Sequence, residues 1–308
     1  MKGVELSRRA LIGGGAAFGG LLLSGCDRLS ASPTFRQILS GAEPLSMGSQ
    51  RLLLSGGQLA REFKSSDLSP VFRANGSTSV SDPAYLQMLE TDFADYRLKV
   101  GGLVARPLSL SLDDLRRAPQ RTQITRHDCV EGWSAIGQWT GTPLAGVLKA
   151  AGLHPNARYV VFHCADTMDQ GNPLEGGGDD AETDEAAPAG NANPAMTKQS
   201  GGGESRKDSG GQQASDESAA SAGSPVRYYE SIDLVDAVHP QTILAYNMNG
   251  QALPVSNGAP LRLRVERNLG YKQAKYVMRI EVVESFAHLG EGKGGYWEDQ
   301  GYAWYAGI

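Results

Sequence analysis

The run Arg126-His127-Asp128-Cys129-Val130-Glu131-Gly132-Trp133-Ser134 gathers several reactive side chains in one short stretch. Cys129 follows a predicted strand (Thr122 to Thr125) and precedes a glycine and tryptophan turn. A thiolate held at a strand end can be a nucleophile, or one soft ligand to a metal whose other ligands come from elsewhere. His127 and Cys129, at i and i+2 on an extended segment, face the same way, so a cysteine hydrolase or transferase pair is geometrically open. No oxyanion-type glycine loop or orienting partner accompanies it. The other cysteines are Cys26 and Cys164. Their spacing fits no zinc knuckle, no CxxC pair and no CxxCH haem attachment. A Cys129–Cys164 disulfide is conceivable in an oxidising compartment.

The elements that must position these residues follow from periodicity. Tyr96 to Val100 alternates as a strand before Gly101-Gly102. Ser111 caps a short helix with early acids, and Leu144 to Ala151 forms another, closed by Gly152. Arg158 to Cys164 reads as a buried strand. Residues 171–224 are almost wholly Gly, Asp, Glu, Ala, Ser, Asn and Gln with no aromatic residue. They cannot bury enough apolar surface to offset their ordering entropy, and read as a disordered insertion inside one domain. Tyr228 to Ile232 then resumes a strand that needs a partner from before the break. Thr242 to Tyr246, Leu261 to Val265 and Tyr276 to Val283 are strands, and Asn249-Gly250 is a hairpin turn. In the strand Leu261 to Val265, Arg264 reads as lying on a solvated face. Without sustained strand–helix alternation, the expected class is α+β with a largely antiparallel or mixed sheet.

The chain has 308 residues, 40% of them hydrophobic, enough for one substantial core. A net charge of −5 argues against nucleic acid as a partner. Ser7-Arg8-Arg9-Ala10-Leu11-Ile12 and the glycine-rich run to Gly25 read as a twin-arginine (Tat) export signal, too short and mild for a membrane span. Leu23-Ser24-Gly25-Cys26 looks like a lipobox, with Cys26 lipidated and Asp27 favouring retention at the inner membrane. The expected organisation is a signal peptide over 1–25, a tether and N-terminal extension over 26–84, and a globular domain over 85–308. Localisation is then periplasmic, tethered by lipid.

Thr125 to Ser134, with Trp139-Thr140-Gly141-Thr142-Pro143-Leu144, resembles the molybdopterin domain of the sulfite oxidase superfamily. Within it, the motifs most resemble the bacterial, Tat-exported, YedY-like branch, typified by the catalytic subunit of periplasmic protein-methionine-sulfoxide reductase. Asp236 to Thr242, Asn257-Gly258-Ala259-Pro260-Leu261-Arg262-Leu263 and Gly270 to Lys275 complete the likeness, which covers 85–308 without the insertion. The resemblance implies molybdenum bound by one molybdopterin, with Cys129 as its protein ligand. Asn257 and Arg262 match pterin contacts. Lys272 and Lys275, with the backbone of Gln273 and Ala274, match the loop that holds the cofactor phosphate. Asn75 matches an N-terminal pterin contact. Cys164 stands where the family has threonine, so it is either a cofactor contact or plain core. His127 is either a donor to the pterin or a satisfied structural histidine. The implied activity is oxygen-atom or two-electron transfer on a small sulfoxide- or sulfite-like substrate, exchanging electrons with a membrane cytochrome b (haem b) subunit. Besides the hydrolase, a non-catalytic lipoprotein that binds a partner is the remaining reading.

Overall fold

The computed structural model describes residues 32–53, 57–168 and 226–308. The expected export signal, Cys26 and the expected insertion over 171–224 lie outside them.

The elements form a mixed α/β fold with two sheets. The first runs in the order β2-β1-β10-β5-β6. Its strands are β1 (Leu98–Gly102), β2 (Leu108–Leu110), β5 (Tyr159–Met168), β6 (Val226–Asp233) and β10 (Val277–Val283). β1 lies parallel to β10, with Val100 opposite Ile280, while β10 is antiparallel to β5. Their inward residues, Leu98, Val100, Val160, Phe162, Ile280 and Val282, are buried and apolar. β5 and β6 are neighbours, so the chain leaves the sheet after Met168 and returns beside the strand it left.

The second sheet runs β3-β4-β7-β8, with β9 also paired to β7. Here β3 is Arg121–Asp128, β4 is Ser134–Pro143, β7 is Ile243–Met248, β8 is Gln251–Ala252 and β9 is Arg262–Arg264. The alternation of β3 is inverted from the usual apolar-in pattern: Gln123, Thr125 and His127 are the buried residues. All of β9 is buried, including Arg262 and Arg264 at 0% exposure. Arg264 is therefore not on a solvated face. The alternation expected to separate core from solvent separates two buried environments, one apolar and one polar. β4 and β7 lie between β3 and β9, yet His127 meets Arg264 and Gln123 meets Glu266. The sheet thus curls over a polar inner face.

Local chemistry sets the helices. Ser111 Oγ accepts from Asp114 N at 3.1 Å while the Asp114 carboxylate accepts from Ser111 N at 3.0 Å, a reciprocal cap on Leu112–Arg117. Gly152, at φ 72°, ends the helix Leu144–Ala151. Among the described residues no helix is long and apolar enough to cross a membrane.

The N-terminal extension holds more structure than a tether. Pro33–Leu53 is a 21-residue helix. Arg51 pairs with Asp233, Glu43 accepts from Tyr305 N at 2.7 Å, and Gln50 donates to Gly307 O at 3.4 Å. Further on, Phe63 N donates to Ile124 O at 2.9 Å and Ser69 N to Ile136 O at 3.0 Å, so this segment runs along β3 and β4. It delivers Phe72, Asn75 and Ser77 to the curled sheet.

Candidate functional site

The β3–β4 hairpin closes through Cys129. Cys129 N donates to Trp133 O at 2.9 Å, and Gly132 N donates back to Cys129 O at 3.1 Å. Gly132 supplies the φ of 87° this turn needs. The thiol is free and half-buried. Burial raises its pKa, although the backbone N–H groups of Glu131 and Val130 pull the other way. It is thus no activated nucleophile, whereas coordination to a metal would remove its proton outright.

His127 does not serve Cys129 as a base. Its ring is fully buried, and its Nδ1 lies 3.2 Å from Arg264 Nη1. Burial, then Arg262 and Arg264, hold its pKa well below the ordinary value. Phe72 and Trp133 flank the ring at 5.7 and 5.6 Å. The hydrolase pairing loses its general base.

From His127 the polar face continues residue by residue. Arg264 forms a fork to Glu266, at 2.9 and 2.6 Å, with both side chains at 0% exposure. Gln123 also donates to Glu266, at 2.8 Å. Trp139 lies under both guanidiniums, 4.3 Å from Arg264 and 5.3 Å from Arg262. Arg262 donates to Asn257 O at 3.1 Å and to Asn75 Oδ1 at 3.3 Å. Lys275 Nζ is held by Asn75 O at 2.6 Å, by Ser256 O at 3.0 Å and by Ser77 O. His127, Asn75, Asn257, Arg262 and Lys275 therefore form one connected group. Gly258 permits it: at φ 109°, a Cβ there would sit 2.8 Å from Lys275 Cβ.

The group carries excess positive charge. Burial, then Arg264, lowers the Arg262 pKa to about 9. Burial, then Arg262, lowers that of Lys275 to about 7. The nearby Asp166 carboxyl is pushed up to about 6, chiefly by burial. Buried cations depressed in this way favour an anion alongside them. Asn257 Nδ2, Arg262 Nε and His127 Nε2 are also buried without a hydrogen-bond partner among the described residues. N–H donors and cations that include His127, two residues from a free thiol, suit an anionic, acceptor-rich group with a sulfur-liganded metal. The residues present fit a molybdopterin.

The other expected residues are placed differently. Lys272 is fully engaged with Glu230 at 2.6 Å and Glu298 at 2.5 Å, both buried. Its ammonium is committed to these carboxylates and not to the Lys275 group. The Gln273 backbone N–H closes a turn on Gly270 O at 3.1 Å, while Ala274 O accepts from Leu263 N at 2.8 Å. The Gln273 side chain donates to Asn268 O at 3.2 Å and faces His127. Cys164 is buried on β5 among Asp166, Glu230 and Tyr96 and is free, so the disulfide with Cys129 does not form. Arg264, Glu266, Gln123, Trp139, Ser77 and Asp166 were not anticipated in the site. The signal available for them was β3 itself, a strand with no apolar face.

The profile of the oxidoreductase molybdopterin binding domain matches residues 85–187 and 205–288. The chain belongs to this family. It is an oxidoreductase, in agreement with the sequence motifs. A protein of Azospira oryzae bearing the name of a protein-methionine-sulfoxide reductase subunit, YedZ1, is 32% identical over 308 residues, covering 99% of this chain and 90% of its own. The sulfane dehydrogenase SoxCD from Paracoccus pantotrophus superposes at a TM-score of 0.41 and 20% identity, over 62% of this chain and 39% of that one. The molybdopterin-binding domain thus includes both Cys129 and the Arg262–Lys275 group.

Proposed function

We propose that this oxidoreductase carries molybdenum on a single molybdopterin, with Cys129 as the protein ligand. It moves an oxygen atom, or two electrons, to or from a small sulfoxide- or sulfite-like substrate. The observation that carries this reading is a free thiol at a hairpin turn, two residues from His127, which joins a buried cationic group with unpaired N–H donors.

When bound, the cofactor supplies the two-electron redox chemistry. The chain supplies position and charge. Arg262, Asn257 and His127 offer N–H donors to its ring system, and Lys275 and Arg262 offset its negative charge. Trp139, fully buried beneath both guanidiniums, keeps water from them. The exposed Val130 and the Trp133 indole, the latter tied to Glu131 at 2.8 Å, border the approach to Cys129.

The finer reading extends to the cell. The Tat signal and lipobox support export and a lipid anchor on Cys26, placing the enzyme on the periplasmic face of the inner membrane. The name of the Azospira relative includes the word subunit, which supports a partner, and a membrane haem b protein is the natural electron carrier. The test is metal content and redox activity of Cys129→Ala beside the parent. Loss of molybdenum with retained fold supports the reading; unchanged metal and activity refute it.

A further inference from the structure

Neither the family match nor the sequence motifs give Arg264 a role in the site or say what fixes the His127 ring. Arg264 Nη1 lies 3.2 Å from His127 Nδ1. A guanidinium nitrogen only donates, so Nδ1 must accept, and the ring proton resides on Nε2. Arg264 is itself fixed by its fork to Glu266 and by the Trp139 face at 4.3 Å. The ring therefore has one tautomer and one orientation.

Its Nε2–H is spent on nothing among the described residues. Gln273 Oε1 lies close enough to the ring to favour its protonated form as an accepting oxygen does, yet no hydrogen bond of good geometry joins them, and His127 Nε2 and Gln273 Oε1 are both left without a partner among the described residues. The backbone comes unusually close here: a Cβ at Gly270 would meet His127 Cε1 and Nε2 at 2.6 Å. A buried donor and a buried acceptor, side by side and poorly aligned with each other, are costly unless a third group completes their hydrogen bonds.

We infer that Arg264 is a positioning residue that holds His127 as a fixed Nε2–H donor, and that this donor and Gln273 Oε1 together read one edge of the bound cofactor. The edge they fit presents an acceptor next to a donor, as the amide and amino groups of a pterin ring do. The inference rests on the molybdopterin reading above. Arg264 touches no reacting atom; it acts through His127.

The experiment uses the holoprotein labelled with 15N-histidine. The chain has only 5 histidines, so the His127 signals can be assigned by substitution. The expected spectrum shows His127 protonated at Nε2 alone. A double substitution, Arg264→Met with Glu266→Leu, removes both members of the buried pair and so strands no charge. It should lower the Nε2–H to Nδ1–H ratio by roughly tenfold, the equivalent of one hydrogen bond from a charged donor. In the holoprotein, His127→Phe keeps a ring without an N–H and should shift the midpoint potential of the metal couple. His127→Gln restores an N–H at similar reach and should return the potential toward the parent value. An Nδ1–H tautomer in the parent, or a potential that His127→Phe does not move, overturns the inference. The parent tautomer needs no variant, so it decides the role of Arg264 even if the substitutions fail to fold. Absence of molybdenum from the parent would instead count against the molybdopterin reading.

Discussion

Substituting Lys272 gives the largest effect expected outside the metal site. Its ammonium lies between Glu230 and Glu298, and the three side chains are 2%, 0% and 0% exposed. Burial works against the lysine's charge, but the two carboxylates more than offset it and raise its pKa. Lys272→Met keeps most of the side chain's volume and leaves two carboxyl groups without a cation. Breaking a buried pair in this way costs about 3–5 kcal/mol, a large part of the 5–15 kcal/mol that typically holds a domain folded. Glu298→Gln should cost far less, within about 1 kcal/mol, because it relieves the repulsion between like charges while the lysine keeps Glu230. The pH dependence has a definite sign. Burial, then Glu298, pushes the Glu230 carboxyl well above the ordinary range. The folded state thus binds a proton that the unfolded state releases. Its contribution is fully present below the unfolded pKa and is lost as pH rises toward the folded one. Glu298→Gln should flatten that decline. Urea unfolding of cofactor-free protein, followed by circular dichroism at a series of pH values, measures all of this. A loss below about 1 kcal/mol for Lys272→Met would refute a buried ion cluster. Unchanged stability with reduced cofactor retention would return Lys272 to the phosphate role suggested by the family resemblance.

Three further outcomes follow. Gly270→Ala places a methyl 2.6 Å from the His127 ring and should cost about 1–3 kcal/mol by overpacking, read as a lower Tm. Asp166→Asn removes a carboxyl held at about 6 by burial; that group stabilises the fold most below its unfolded pKa and less as pH passes about 6. The variant should therefore gain on the parent at alkaline pH, by about 1–3 kcal/mol, in unfolding curves compared between acid and alkaline buffer. Arg51→Ala removes the pairing to Asp233 and the stacking on Tyr305. With Arg51 partly exposed, global stability should fall by no more than about 1 kcal/mol, while limited proteolysis within Pro33–Leu53 should speed up.

The strands and caps were legible in the sequence because each is set by local rules. The Ser111 cap, the Gly152 stop and the alternation around Val100 depend on neighbours a few residues away, and all appear in the structure. Motif singled out Cys129, Asn257 and Arg262, and the structure brings the last two into contact. What was not legible is the polar interior. Arg264 alternates with Leu263 and Val265 as a surface residue would, and only the curl that brings β9 over β3 buries it. Lys272 and Lys275 are three residues apart and alike in type. Glu230, 42 residues before Lys272, and Glu298, 26 after it, take the first, while backbone carbonyls of the N-terminal segment and of Ser256 take the second. Such long-range pairings leave no local trace. The helix Pro33–Leu53 was hidden by its glycines, serines and the internal Pro44, and its described ties to the core come from the far C-terminus and from Asp233 and Asp236.

The central claim is a bond from the sulfur of Cys129 to molybdenum. Elemental analysis and electron paramagnetic resonance of the purified protein, beside Cys129→Ser, test it most directly. The account predicts stoichiometric molybdenum with a thiolate-type signal in the parent, and loss of that signal in a variant that remains folded. Metal-free parent protein that still turns over, or an unchanged signal in Cys129→Ser, would contradict it.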